Sequence, residues 1–207
     1  MGNIITISRE FGSLGRPIAK AVAERMGYRF YDPELIELAA QKLGRNVRDL
    51  EAYDDQTVIH TNMKGSQYVG MAFPFGFGEK RKAMELFDAE AELIKQIADT
   101  EDAVIVGRAA DYILSMEGKE DLLRVHITGT YEHRYRNAVE ELDLTEAAAR
   151  EHIRIIDKAR SNFYETITKQ PFDSPMYRDV IVNTDHFTQE YVVELLCDLA
   201  AHRFTKD

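Results

Sequence analysis

Residues 4–17 read IITISREFGSLGRP, and this stretch decides the fold. The continuous, β-branched run Ile4–Ile7 is typical of a strand that is buried on both faces of a parallel sheet. A glycine-bearing turn follows, and from Pro17 the apolar residues recur at helical spacing up to Gly27, a typical helix stop. The chain therefore begins with a strand, a loop and a helix. In an open parallel sheet this first turn is the usual phosphate site, because free N–H groups converge at a helix N-terminus.

The same alternation of strands and helices continues along the chain. Helix starts are predicted from prolines, capping threonines and apolar periodicity, and they lie at Pro33, near residue 46, near Lys82, and after Thr130, Thr145 and Thr188. The predicted strands are 4–7, 28–31, 103–106, 122–128 and 179–183. Strands that alternate with helices indicate right-handed crossovers, so we expect a three-layer α/β/α sandwich around a five-stranded parallel sheet.

Composition narrows the classes of function. The 207 residues, 44% hydrophobic and 30% charged, fit one soluble domain. A net charge of -10 argues against a broad nucleic-acid interface, so any bound phosphate must meet locally gathered basic residues. Apolar runs are too short to span a membrane, Cys197 is the single cysteine, and no secretion signal is recognisable. We therefore expect a cytoplasmic protein with small-molecule partners.

The first turn matches the P-loop pattern only in part. Gly15 matches the second glycine, whereas Arg16 stands where the lysine belongs. Glu10 replaces the first glycine and Pro17 replaces the hydroxyl residue, so the motif as such fails. Gly12 and Gly15 still allow the backbone to wrap closely, and Arg16 adds charge with bidentate reach. A phosphate cradle and an ordinary turn with an incidental arginine both remain open on this evidence.

Three segments of the chain resemble one known family. They are ITISREFGS with the following Gly15-Arg16, the pair Tyr31-Asp32, and VGRAADYIL at 106–114. Together they are similar to the cytidylate kinase-like family of P-loop proteins, a divergent relative of bacterial cytidylate kinase. The resemblance runs from near residue 4 to the final helix. It implies a nucleoside monophosphate kinase architecture with a five-stranded core, an acceptor-binding region and a mobile lid.

The resemblance implies roles for the first turn and for Arg108. In the first turn, the donor phosphates of ATP would be held by residues at or just before the helix N-terminus. These residues are Gly12, Ser13, Gly15, Arg16 and Pro17. Arg108 follows a buried strand and matches the arginine that holds the acceptor phosphate, although Ala109 replaces the aspartate next to it. The alternative for Arg108 is a structural ion pair with Glu10, Asp32 or Asp111.

Asp32 ends the second strand and matches an aspartate of the same family. The resemblance implies that it binds Mg²⁺ through water or orients the attacking phosphate. An equally good interpretation makes it the N-cap of the helix that starts at Pro33. Pro33 and Leu38 depart from the family's substrate segment, so recognition of cytosine does not carry over.

Arg154, Asp157 and Arg160 fall three residues apart on one long predicted helix. Their spacing resembles the lid pattern R-x-x-D-x-x-R, whose arginines close over the triphosphate and neutralise charge during transfer. The alternative is a solvated face with ion pairs. Residues with weaker claims to the same site are Arg134, Arg136, Tyr164, Lys169 and Tyr177. The six histidines show no metal-ligand spacing, and Cys197 falls on an apolar helix stripe.

We therefore expect one P-loop kinase-like domain over 1–207, with an acceptor-binding or interface insertion at about 45–82 and a lid at about 150–178. The expected function is phosphoryl transfer from ATP with Mg²⁺ to a small phosphorylated acceptor, a nucleoside monophosphate by resemblance. The alternative is a nucleotide-binding regulatory protein without efficient catalysis, because Arg16 and Pro17 replace two parts of the usual loop. A third hypothesis gives the Phe- and Met-rich stretch 65–78 to a homodimer interface.

Overall fold

A computed structural model describes residues 2–32, 34–46 and 77–205 of the chain. These residues contain one parallel sheet of five strands. The strand order is β2-β3-β1-β4-β5, and every neighbouring pair is parallel. Its strands are β1 Ile4–Arg9, β2 Arg29–Tyr31, β3 Ala103–Val106, β4 Leu122–Thr128 and β5 Val180–Asn183. All six residues of the central strand β1 are buried, as its β-branched composition predicts.

Helices cover both faces of the sheet. They are α1 Gly15–Met26, α2 Glu34–Leu43, α3 Phe77–Thr100, α4 Ala110–Met116, α5 Tyr131–Glu140, α6 Glu146–Thr168 and α7 Gln189–Phe204, with a 3₁₀ turn at Pro175–Tyr177. Ile5 and Ile7 pack against α1 and α7, whereas Ile4 packs with α3 and α4 on the opposite face. Side chains alternate across a strand, so one strand supplies both cores. The predicted three-layer α/β/α sandwich is confirmed.

Most predicted elements agree with the structure to within two residues at each end, and the two larger differences concern helices α3 and α4. Strands β3 and β4 have the predicted limits, and the hydroxyl groups of Thr130, Thr145 and Thr188 accept N–H groups as N-caps of α5, α6 and α7. The short helix α4 was not predicted, because seven residues carry too little periodicity. Helix α3 begins at Phe77, earlier than the predicted start near Lys82.

Two sequence predictions fall largely outside the described residues. They are the polar helix at 46–62 and the apolar loop at 65–78, of which only the first residue and the last two are described. Among the described helices, none is both long and apolar enough to cross a bilayer.

The parallel arrangement decides where a ligand can bind. Because all five strands point the same way, their carboxyl ends meet at one edge of the sheet. Arg9 ends β1 and is followed by the first loop, Asp32 follows β2, and Arg108 lies two residues after the end of β3, so all of them lie at this edge. Residues far apart in sequence are thus neighbours here.

The interior position of β3, between β2 and β1, leads to a stability prediction. Ile105 is fully buried, whereas Ile181 on the edge strand β5 is 46% exposed. We expect Ile105→Ala to lower the free energy of unfolding by about 2–5 kcal/mol, through lost burial and a residual cavity. The matched control Ile181→Ala should cost about 1 kcal/mol or less. Urea titration followed by circular dichroism measures both, and equal losses would contradict the proposed packing.

Candidate functional site

The first loop, residues 10–14, leads from β1 into α1, whose first residue Gly15 is buried and whose second residue Arg16 is exposed. Leu14 is the N-cap of α1 and adopts the left-handed conformation with φ 59°. Its side chain has no oxygen, so it cannot cap the helix as Thr130, Thr145 and Thr188 cap α5, α6 and α7. The N–H groups of the first turn have no partners within the helix, and no acidic side chain lies in that turn. This helix end therefore favours an anion.

Helices α5 and α6 hold the loop from behind. The N–H of Phe11 donates to the Asp157 carboxylate at 2.7 Å, and Arg134 donates to the carbonyl oxygen of Phe11 at 3.0 Å. Arg134 also pairs with Asp157, at 2.5 Å, and the amide of Asn137 donates to the Gly12 carbonyl at 2.8 Å. Burial raises the pKa of Asp157, and the hydrogen bonds that it accepts from Phe11 and Arg134 oppose the rise. Asp157, a predicted lid residue, thus binds the loop backbone.

Glu10 shows why the first glycine of a P-loop is missing. Its carboxylate accepts hydrogen bonds from the Thr128 hydroxyl and, at 3.2 Å, from the N–H of Gly129. The Arg134 guanidinium lies 3.5 Å away. Glu10 therefore links the first loop to the end of β4 through hydrogen bonds of its side chain, which a glycine could not form.

Both loop glycines are required by close packing. Gly12 has φ +78°, and a Cβ there would overlap the carbonyl oxygen of Arg134. A Cβ on Gly15 would lie 2.5 Å from the Cβ of Arg9. Packing alone therefore accounts for these glycines, and they are not independent evidence for a bound phosphate.

Asp32 lies between two guanidinium groups. It is fully buried, pairs with Arg16, and lies 3.7 Å from Arg9. Arg16 is 54% exposed, so one side of this ion pair faces solvent beside the start of α1. The alternative role of Asp32 as a helix cap involves Pro33, which lies outside the described residues. Arg9 was quoted in the sequence motif but not predicted as a site residue.

Arg9, Arg108 and Arg160 line one enclosed cavity of about 20 Å³, enough for one water molecule. Arg160 donates to the carbonyl oxygen of Arg9 at 3.1 Å. Arg108 pairs at 3.0 Å with Glu90 of α3, and both side chains are buried. The alternative partners predicted for Arg108 were Glu10, Asp32 and Asp111. Glu90 was not among them, because no sequence pattern links positions 90 and 108. Of the three arginines predicted to converge, Arg108 and Arg160 line this cavity, whereas Arg16 pairs with Asp32 and is not among the lining residues.

The turn that carries Arg108 is strained. Gly107, Arg108 and Ala109 all have positive φ, at 77°, 58° and 51°. Left-handed conformations at non-glycine residues cost of order 1 kcal/mol each and persist where the surroundings impose them. The turn directs Arg108 back toward the end of β1.

A buried cluster at the cavity includes Arg178, which the sequence analysis missed. The Tyr164 hydroxyl lies 3.1 Å from the Asp111 carboxylate, which also pairs with Arg178, and Arg178 donates to the Tyr164 oxygen at 2.8 Å. Burial lowers the pKa of Arg178 to about 10 and raises that of Tyr164. Asp111 belongs to the VGRAADYIL segment, but no pattern pointed to Arg178.

A second buried contact joins β1 to β4. The Ser8 hydroxyl lies 2.8 Å from Nδ1 of His126, whose ring meets Phe172 edge-on at 5.1 Å. Burial lowers the pKa of His126 to about 4. Phe172 also packs edge-on against Tyr164 at 5.6 Å, so the segment after α6 covers the cavity.

The remaining predicted site residues differ in where the structure places them. Ser13 uses its hydroxyl to donate to the Glu10 carbonyl at 2.9 Å, and Pro17 lies in the first turn of α1. Arg154 is not brought to the cavity: it is 65% exposed and pairs with Glu151 on its own helix at 2.7 Å, as the ion-paired alternative describes. Among the residues with weaker claims, Arg134 holds the loop, Arg136 and Lys169 are exposed, and Tyr177 packs on Tyr112.

The five-stranded parallel sheet flanked by helices is the nucleoside monophosphate kinase-like fold of P-loop kinases. Shikimate kinase from Acinetobacter baumannii in complex with shikimate aligns over 100% of this chain and 97% of its own, at 12% identity and TM-score 0.51. The chain belongs to the cytidylate kinase-like family, whose profile matches residues 4–186.

Other solved structures share the fold. An uncharacterized protein from Eubacterium ventriosum ATCC 27560 is 20% identical, with TM-score 0.68, over 96% of this chain and 98% of its own. TT1252 from Thermus thermophilus is 16% identical, with TM-score 0.54, over 99% of each chain. No curated protein matches the chain significantly. The comparisons thus establish family and fold, and the particular activity has to be argued from the site.

The packing of Gly12 leads to a prediction with a matched control. Gly27, which ends α1, has a similar φ of +71° but open space around a Cβ. Gly27→Ala should cost about 1 kcal/mol of unfolding free energy from backbone strain. Gly12→Ala should cost about 1–3 kcal/mol more, because the Cβ must also displace Arg134. Urea unfolding measures both, and equal costs would show that the loop does not pack on α5 as described.

His126 should make the protein sensitive to mild acid. Its folded-state pKa lies below the unfolded value of 6.5, so its contribution to stability is complete above pH 6.5 and is lost as the pH falls toward 4. Between pH 7 and pH 5 this loss amounts to about 2 kcal/mol of unfolding free energy. We expect His126→Gln to reduce the pH dependence by that amount in urea titrations at the two pH values. An unchanged dependence would contradict a buried neutral imidazole.

Proposed function

We propose that the protein transfers the γ-phosphoryl group of ATP to a small phosphorylated acceptor, a nucleoside monophosphate by family, as a cytoplasmic enzyme of small-molecule nucleotides. The observation that carries the proposal is that Arg9, Arg108 and Arg160 line one cavity at the carboxyl edge of the sheet, while Arg16, at the uncapped start of α1, shares the Asp32 carboxylate with Arg9. A phosphate transfer site needs positive charge aimed at one point more than it needs reactive side chains.

Two sides of the site take two roles. On the donor side, the backbone of Gly12, Ser13 and Gly15 and the exposed guanidinium of Arg16 would hold the phosphates of ATP. On the acceptor side, Arg108 would bind the acceptor phosphate, which is already an anion and needs no general base. Arg160, which donates to the carbonyl of Arg9, would neutralise charge that develops during transfer.

The segment at about 150–178 is proposed to act as the lid. Arg160 contributes to the cavity, and Phe172 covers it by packing on His126 and Tyr164. Closure over the reactants would exclude water and suppress hydrolysis of the donor. Arg154, on the exposed side of α6, would have to change partner to take part.

The expected Mg²⁺ ion does not fit the residues that border the loop. Asp32 is held by two arginines, Pro17 has no oxygen to offer from its side chain, and the Ser13 hydroxyl is bonded to the Glu10 carbonyl. Within residues 2–32, 34–46 and 77–205, no group of three acidic, histidine or cysteine side chains could hold a metal. We therefore derive no step of the transfer through a metal ion.

A nucleotide-binding regulatory protein is the second candidate. The Arg16–Asp32 ion pair favours it, because this contact occupies the side chain that stands at the lysine position of a P-loop. A protein of this kind would bind ATP and turn it over slowly or not at all.

One assay separates the two candidates. The protein is incubated with ATP, MgCl₂ and a panel of nucleoside monophosphates, and ADP formation is followed. For the enzyme we expect turnover on at least one acceptor, and Arg16→Ala should lower kcat/KM by about 100-fold, the typical loss of one charge-stabilising group. Arg150→Ala is the control, because that exposed arginine pairs only with surface groups in the described structure.

The contrary results are distinct. Tight ATP binding without ADP formation on any acceptor would favour the regulatory protein. Turnover that is equal in the native protein and in Arg16→Ala would remove Arg16 from the donor site.

A further inference from the structure

Residues 170–178, which we call the strap, run from the end of α6 past the cavity to the start of β5. The strap contains the 3₁₀ turn Pro175–Tyr177 and is otherwise irregular. Three of its side chains, Phe172, Tyr177 and Arg178, hold it to α4, β4 and α6. The exposed residues of the strap are Pro171, Asp173, Pro175 and Met176. An irregular segment that depends on a few side chains opens more readily than the helices and strands around it.

The cavity beside the strap is closed to groups larger than water. Phe172 belongs to its lining and packs edge-on against Tyr164 and His126, at 5.6 Å and 5.1 Å. Arg108, the acceptor arginine of the proposed function, is 1% exposed, and the cavity holds about one water molecule. A phosphorus atom with its oxygens is several times larger than water. A phosphate group therefore cannot reach Arg108 in this cavity unless the lining moves.

A buried ion pair holds the end of the strap. Arg178 pairs with Asp111 and donates to the Tyr164 hydroxyl at 2.8 Å, and its guanidinium carbon lies 4.8 Å from the centre of the Tyr164 ring. Asp111 also lines the cavity, in the first turn of the helix that follows Arg108. Tyr164 contacts both Phe172 and Arg178. The ion pair and the ring contacts therefore form one connected set.

This ion pair is incompletely hydrogen-bonded. Within residues 2–32, 34–46 and 77–205, Nε and Nη2 of Arg178 are buried and have no hydrogen-bond partner. A buried charged donor without a partner carries a desolvation cost, which is recovered when the group reaches water. Breaking the pair therefore costs less than breaking a fully bonded one.

We propose that the strap is an autoinhibitory gate: Phe172 closes the cavity, and the Asp111–Arg178 pair keeps the strap shut in the absence of ligand. The ligand that requires its opening is the phosphate group of a small molecule. The inference rests on the proposed function for the role of Arg108 and adds the step that admits the acceptor. Closure over bound reactants then needs a second position of the strap, with Phe172 outside the cavity.

Phe172 distinguishes a gate from a binding residue. If it blocks the cavity, Phe172→Ala makes phosphate bind more tightly, because binding no longer includes the cost of opening. If it contacts the bound ligand, the same substitution weakens binding. The matched control is Met176→Ala, because Met176 lies on the same strap and is 59% exposed.

The first test titrates the full-length protein with inorganic phosphate by isothermal titration calorimetry. We expect Phe172→Ala to bind phosphate about threefold or more tightly than the native protein. Met176→Ala should bind phosphate like the native protein. The gain should persist when Phe172→Ala is combined with Arg16→Ala, because Arg16 is not among the residues that line the cavity.

The second test measures amide hydrogen exchange in Asp111→Asn without ligand. We expect the strap to exchange about tenfold faster than in the native protein, because Arg178 loses its counter-charge. Helix α7 should keep its native exchange, which verifies that the variant is folded. Tyr164→Phe removes only the hydroxyl that bonds Asp111 and Arg178, and it should give a smaller increase in the strap.

The outcomes separate the gate from the proposed function. Phosphate binding by Phe172→Ala that is equal to native binding, or weaker, would overturn the gate and leave the proposed function standing. Unchanged strap exchange in folded Asp111→Asn would overturn the role of the ion pair and with it the inference. Absence of phosphate binding in both the native protein and Phe172→Ala would instead overturn the assignment of Arg108 to the acceptor phosphate, on which the proposed function depends.

Discussion

The need to balance buried positive charge governs this structure. The parallel sheet brings arginines from β1, from the turn after β3 and from α6 to one edge, where Arg9, Arg108 and Arg160 are almost fully removed from solvent. A guanidinium group that is buried without a counter-charge is strongly destabilising, because desolvation costs more than neighbouring dipoles return. Glu90 and Asp32 are buried for that reason, and the strained turn at Arg108 is tolerated because it completes one of these pairs.

The same balance explains how this loop departs from the P-loop pattern. Glu10 ties the loop to the end of β4, and Asp157 with Arg134 holds the Phe11 peptide from behind. The loop is thereby fixed by side chains of other elements, and Gly12 and Gly15 allow those elements to approach. Asp157 was expected to belong to a lid, but its carboxylate hydrogen-bonds to the backbone of the first loop. Arg16 is the exposed guanidinium group beside this loop.

Much of the fold was accessible from patterns in the chain. The β-branched run at the start, the glycine stop at Gly27 and the threonine caps at Thr130, Thr145 and Thr188 are local signals, and the structure confirms them. The proximity of Arg108 to the end of β1 was also predictable, because parallel strands must end at one edge. Arg154 shows the limit of such reasoning: spacing alone could not tell which side of α6 faces the loop, and this arginine lies outside with Glu151.

The sequence by itself determined most of the elements and the parallel direction of the strands, since helix periodicity, caps and strand composition depend on neighbours along the chain. Only the tertiary structure decided the ion-pair partners. Glu90 with Arg108, Arg178 with Asp111, and Arg9 with Asp32 join separate elements, and no local pattern encodes them. The physical reason is that charge is balanced through space, so the partners of Asp32 are set by the elements that the fold brings to it and not by the residues beside it in the chain.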